Sequence, residues 1–154
     1  MHKKDYSQFL NQWDWEWFVT FTFKEWSGPT LTEAQVNRAR KSWTRLFCTT
    51  LKMQVGYFYV LVFKDTLPHL HLLMVGRGKI KIGKTLRDVP TVYGETIYPW
   101  NGRIEIPNSN SAVTDYFAKN LLSDGGELGI YNIKLLNKMK RKLSLLSDGT
   151  QKNT

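Results

Sequence analysis

The sequence predicts an α+β domain, and three observations carry the prediction. Residues 55–63 and 68–75 are short apolar runs with four residues between them, the pattern of an antiparallel hairpin. Residues 13–24 end in alternation. Trp17, Val19, Phe21 and Phe23 share one face, and Glu16, Phe18, Thr20, Thr22 and Lys24 share the other, so this stretch is a further strand. Residues 31–52 place Val36, Ala39, Trp43, Phe47 and Leu51 at the 3-4 spacing of a helix with one buried stripe.

Residues 1–12 are polar and read as a loose lead-in. Ser27-Gly28-Pro29 breaks the first strand, and Thr30 with Glu33 forms a capping box that starts the helix. On that helix Arg38, Lys41, Arg45 and Lys52 fall off the apolar stripe; they either track phosphates or form a solvated face. Lys64-Asp65-Thr66-Leu67 is the hairpin turn, which sets Val62 opposite His69 and Val60 opposite His71. Residues 76–83 are a basic, Gly-rich stretch without the spacing of a phosphate-cradling Walker loop. Asn101-Gly102 signals a turn, followed by a short strand over 103–106. Ser111 then caps a second helix over 112–123. Its core half holds Val113, Phe117, Ala118, Leu121 and Leu122, while Tyr116 and Lys119 lie on the other half about one turn apart. Tyr116 sits at the edge, where its ring can lean over a sheet. Residues 127–146 are either a strand with a tail or an amphipathic helix. No repeat or linker divides the chain. One domain over 1–147 is expected, with a disordered tail over 148–154.

With 154 residues, 42% of them apolar and six of them Trp, the chain can bury a sizeable core and is not a disordered polymer. Its net charge of +9 points to a polyanionic partner, nucleic acid first among them. The single cysteine, Cys48, excludes an internal disulfide and a Cys-rich zinc site. No apolar run reaches transmembrane length and no signal-peptide core precedes the domain, so a cytoplasmic protein is expected.

The chemistry concentrates in Pro68-His69-Leu70-His71-Leu72-Leu73. Residues i and i+2 of a strand point to one face, roughly 6.5 Å apart. His69 and His71 therefore either share a divalent ion or are two hydrogen-bonded core histidines. Such an ion polarises a phosphodiester oxygen. A tyrosine hydroxyl attacks phosphorus once its proton is lost, and a neighbouring lysine steadies the phosphate.

These residues resemble a known family. Phe18-Val19-Thr20-Phe21-Thr22-Phe23, the His-Leu-His motif and Tyr116-Phe117-Ala118-Lys119 are similar, in this order, to the three motifs of the HUH endonucleases. Within that superfamily the likeness is to the single-tyrosine rolling-circle replication initiators (Rep proteins) of plasmids and small single-stranded DNA viruses. It spans about residues 17–122. The resemblance implies an antiparallel sheet of about five strands with flanking helices, related to ferredoxin-like and RRM-like folds. It implies Mg²⁺ or Mn²⁺ on His69 and His71. It implies that Tyr116 nicks single-stranded DNA at a replication origin, often a stem-loop, leaving a 5′-phosphotyrosine and a 3′-hydroxyl, with Lys119 as its partner. Thr20, Thr22 and Lys24 are the candidate DNA contacts, and Tyr131 is a structural residue. One departure stands out. The preceding strand offers no acid at the family's third-ligand position, which leaves Asp65, Glu105 or Glu16. The sequence ends without a helicase domain, so unwinding would fall to a host or separate helicase or to a longer parent protein. A single-tyrosine transposase or relaxase shares the chemistry. A non-catalytic single-strand-binding module is the reading from another class, with structural histidines and Tyr116 as a stacking residue.

Overall fold

The middle strand of the sheet is the one that bears both histidines. In a computed structural model, which describes residues 2–23, 32–62, 69–77, 100–123 and 128–141, the chain order is α1 (Lys3–Leu10), β1 (Trp17–Phe23), α2 (Glu33–Leu51), β2 (Gln54–Val62), β3 (His69–Arg77), β4 (Trp100–Glu105), α3 (Asn110–Ser123), β5 (Leu128–Tyr131) and α4 (Ile133–Met139). The five strands form one sheet in the order β4-β1-β3-β2-β5, and every neighbouring pair is antiparallel. This is the expected α+β architecture.

Period-2 alternation sends the side chains to two separate cores. Trp17, Val19, Phe21, Tyr57, Leu61, Leu70, Leu72 and Met74 pack against Val36, Trp43 and Phe47 of α2. Phe58, Val60, Val62, Leu73 and Val75 pack on the opposite face against Leu10 of α1, Phe117 and Leu121 of α3 and Leu136 of α4. The apolar character of β2 and β3 on both faces follows from this double coverage. The hairpin register is the expected one, with Val62 opposite His69 and Val60 opposite His71. Arg40, on α2, is buried; its Nη1 donates to Tyr57 Oη at 2.8 Å and its guanidinium stacks over Tyr59. Burial pushes the Tyr57 hydroxyl above its ordinary value, against the pull of Arg40, so it remains a neutral partner. Tyr131 stacks on Tyr57 at 4.9 Å. Among the described residues no helix is long and apolar enough to cross a membrane.

Several local expectations need correction. Residues 1–12 are not a loose lead-in: α1 begins after His2, whose backbone N–H donates to Asp5 at 3.0 Å. Tyr6, Phe9, Leu10 and Trp13 recur at 3-4 spacing and pack on the second core, a stripe hidden by the polar composition around it. The cap of α2 is Thr32 with Gln35, not Thr30 with Glu33. Thr30-Leu31-Thr32-Glu33-Ala34-Gln35 contains two overlapping boxes, and pattern alone does not choose between them. Asn101-Gly102 is no turn: both residues lie inside β4, where Gly102 pairs with Phe21. Six residues of ladder along β1 outweigh the local turn preference. Residues 128–139 hold both a strand and a helix rather than one or the other. Leu122, expected in the core, is 44% exposed. The turn at 64–67, the loop at 76–83 beyond Arg77 and the tail over 148–154 lie outside the described residues.

Candidate active site

The site forms where α3 crosses the second face of β2 and β3 and Tyr116 reaches Phe18 of β1. His71 stands in the central strand, between Thr20 of β1 and Val60 of β2. It is 8% exposed, whereas His69, two residues earlier on the same face, is partly open. Thr20 Oγ1 lies 3.2 Å from His71 Nδ1. The Phe18 ring lies parallel to the imidazole, with centroids 5.5 Å apart and planes 10° from each other. One face of the ring is thus covered by an aromatic, and one nitrogen is held by a hydroxyl.

Tyr116 comes from α3 to complete this group. Its ring is 5.8 Å from His71 at 80° and 5.7 Å from Phe18 at 88°, both edge-on. It is 49% exposed, so the phenol borders solvent while its ring edge rests on the sheet. Phe117, Ala118 and Leu121 are buried beneath it, which fixes the rotation of α3 about its axis. Lys119 is exposed on the next turn.

The start of α3 is held by residues that the sequence did not single out. Ser109, not Ser111, is the cap: its Oγ accepts from the Ala112 N–H at 3.3 Å and its carbonyl from Val113. Asn110 Nδ2 donates to Asn11 Oδ1 at 2.9 Å and to the Trp13 carbonyl at 3.0 Å, while its Oδ1 accepts from the Trp15 N–H at 3.0 Å. Buried Thr114 donates to Asn11 Oδ1. Nothing in the local pattern marks Asn110, because its partners are some 95 to 99 residues away.

The other candidates fall out differently. Thr22 pairs with His69 in the ladder, and Lys24 and Asp65 lie outside the described residues. Glu105 pairs with Phe18, which places it on the histidine face but two strands from β3. Glu16 is not a ligand of this site. Its carboxylate accepts from the Gly76 N–H at 3.2 Å, five positions along β3 from His71 and so about 16 Å away. Arg38, Lys41, Arg45 and Lys52 are exposed on or beside α2, which covers the opposite face. Among the described residues no three His, Cys, Asp or Glu side chains converge as a metal cluster.

Glu16 has a consequence for stability. Burial raises its carboxyl above the usual carboxylate value, and the Gly76 N–H only partly opposes this. A raised value in the fold favours the protonated form. The contribution is complete below the unfolded value and is lost as pH rises through the folded one. Glu16→Gln is therefore expected to match the wild type in urea unfolding near pH 4 and to exceed it near pH 7. A variant that loses stability equally at both would contradict this.

Comparison of the chain with family models, with curated proteins and with solved structures finds no match in any of the three.

Proposed function

We propose that this chain is a metal-dependent, sequence-specific endonuclease of single-stranded DNA, which nicks and rejoins a replication origin through a 5′-phosphotyrosine on Tyr116. The observation that supports this reading is the Tyr116 ring against His71, brought together by α3 and β3. The HUH resemblance of the three motifs supplies the reaction type, and the charge of +9 suits the polyanion.

His69 and His71 are the residues that would hold the Mg²⁺ or Mn²⁺ implied by the resemblance. His69 and His71 share a face, and Thr20 engages His71 Nδ1, the kind of second contact that fixes a ligand imidazole and directs Nε2 to a metal. When bound, the ion polarises the scissile phosphate. The remaining work falls to the chain's own residues. Phe18 holds the imidazole plane. The Tyr116 oxygen bonds to phosphorus as its proton passes to solvent. The bond from phosphorus to O3′ breaks, and O3′ leaves with the electron pair, takes a proton and becomes a 3′-hydroxyl. Lys119, one turn on, steadies the phosphate charge. Reversal of these steps joins the ends.

Incubation of the protein with labelled single-stranded DNA and Mn²⁺ tests the reading. A denaturant-resistant adduct is expected, lost on chelation and restored by added Mn²⁺. Binding without any adduct would favour a non-catalytic single-strand-binding module. An adduct formed only between two hairpin-flanked ends held by a dimer would favour a transposase.

A further inference from the structure

We infer that the cavity between the C-terminal end of α2 and α4 is a nucleotide-binding site, separate from the histidine centre. Its phosphate contacts are Arg77, Lys134 and Lys138, and the base lies on the apolar part of the lining. The cavity measures about 440 Å³. Arg77 ends β3, and Lys134 and Lys138 come from α4. All three side chains are exposed, and no Asp or Glu joins them in the lining. Lys134 and Lys138 are four residues apart and so share one face of α4, where like charges repel and weaken a short helix. No lining side chain offsets that repulsion, and an anion does.

The wall that carries the lysines is fixed by Asn132. This residue takes a left-handed backbone, φ 59, between β5 and α4. Its Nδ2 donates to the Val55 carbonyl at 3.1 Å and its Oδ1 accepts from the Leu135 N–H at 3.3 Å, which ties α4 to β2. Size and the remaining lining say which anion. Ligand cavities run from about 300 to 1,000 Å³, so the space suits an organic phosphate rather than a bare ion. Met53, Val55 and Leu135 are buried and apolar. A sugar phosphate leaves that surface wet, whereas the face of a base covers it. A guanidinium such as Arg77 pairs with phosphate oxygens or lies flat on a ring. Gln54, its exposed partner in the β2–β3 ladder, offers a donor and an acceptor to a base edge. Arg77 is six residues beyond His71 on the same strand, about 20 Å away. The nucleotide is either free or one unit of a bound strand; the groups that recognise it are the same. The assignment stands apart from the endonuclease reading.

The test uses the full chain with a chelator and no divalent ion, so cleavage plays no part. The probes are the four 5′-deoxynucleoside monophosphates, inorganic phosphate and a single-stranded oligonucleotide. Equilibrium dialysis reads binding, and Cys48 reads position, since this single, half-buried cysteine lines the cavity. Burial raises its thiol above the ordinary value, so alkylation by N-ethylmaleimide is followed at alkaline pH. If the nucleotide is free, at least one monophosphate binds more tightly than inorganic phosphate and slows Cys48 alkylation. If it belongs to a strand, only the oligonucleotide does both. In either case Lys134→Gln combined with Lys138→Gln, two changes on the surface, is expected to keep or raise the melting temperature. Binding of the protecting probe is expected to weaken about 10- to 100-fold, and the protection of Cys48 to go with it. Inorganic phosphate protecting as well as every other probe overturns the nucleotide. Binding unchanged in the double variant, alkylation unchanged by a bound probe, or no binding of any probe at millimolar concentration overturns the site itself. A chain that forms no covalent adduct on DNA overturns the endonuclease reading and leaves this assignment standing.

Discussion

Tyr116→Phe is expected to abolish the covalent protein–DNA adduct and to leave the fold untouched. The substitution removes one oxygen and nothing else. Both ring contacts, to His71 at 5.8 Å and to Phe18 at 5.7 Å, survive in the variant because they are made by the aromatic edge and face. Half of the residue is open to solvent, so no buried partner is orphaned, and unfolding should shift by no more than about 0.5 kcal/mol. Affinity for single-stranded DNA should also be retained, since binding draws on charge and stacking rather than on the nucleophile. Only the step that forms the bond to phosphorus is lost. Tyr131 cannot take over. It is stacked on Tyr57 in the core packed against α2, on the other side of the sheet from His71. A gel-resolved adduct that persists in Tyr116→Phe would move the nucleophile elsewhere, and the role given to the α3–β3 contact would have to be abandoned.

Period, more than composition, is what made this site readable. A two-residue repeat is enough to put His69 and His71 on one face, and a four-residue turn is enough to set Val62 and Val60 opposite them. The helical wheel likewise placed Tyr116 at the boundary of the α3 core stripe, where it is found leaning on the sheet. These are local regularities, fixed within a dozen residues. What escaped was non-local. Alternation in 17–23 gives two faces of a strand but not its neighbour, so nothing announced that Thr20 would lie opposite His71 or that Phe18 would stack on it. The Asn101-Gly102 signal was real in isolation and lost to pairing with β1. α1 was missed because Tyr6, Phe9 and Leu10 are spaced among lysines and polar residues, and only the presence of Phe58 and Trp13 explains why that face is buried. Glu16 is one of three acids that could stand in for the missing ligand, and the direction of β1 carries it to the far end of β3. The basic residues of α2, open in the sequence between a phosphate track and a solvated face, lie across the sheet from the histidines.

The same distinction identifies the position outside the reacting group where a change should be felt most strongly. Asn110→Ala is expected to destabilise the chain by about 2–4 kcal/mol and to slow adduct formation about 100-fold. Asn110 engages its whole amide: two donated bonds, to Asn11 Oδ1 and the Trp13 carbonyl, and one accepted from the Trp15 N–H, all within 3.0 Å. Removing it leaves one donor and two acceptors without their partner in a part-buried joint. Alanine's better helix propensity returns only a few tenths of a kcal/mol. The rate effect has a separate origin. α3 reaches the sheet as a rigid rod, so loosening its first turn shifts Tyr116, two turns on, against His71. A displacement of about 1 Å between reacting groups is enough for a loss of that size. Urea unfolding gives the first quantity and single-turnover adduct kinetics the second, measured well below the unfolding transition. Hydrogen exchange at the amides of residues 112–116 should accelerate more than exchange in β3, because the joint opens locally. If stability falls while the folded variant reacts at the wild-type rate, the link from the α1–β1 connection through α3 to the phenol is wrong, and the placement of Tyr116 must be governed by its contacts with the sheet alone.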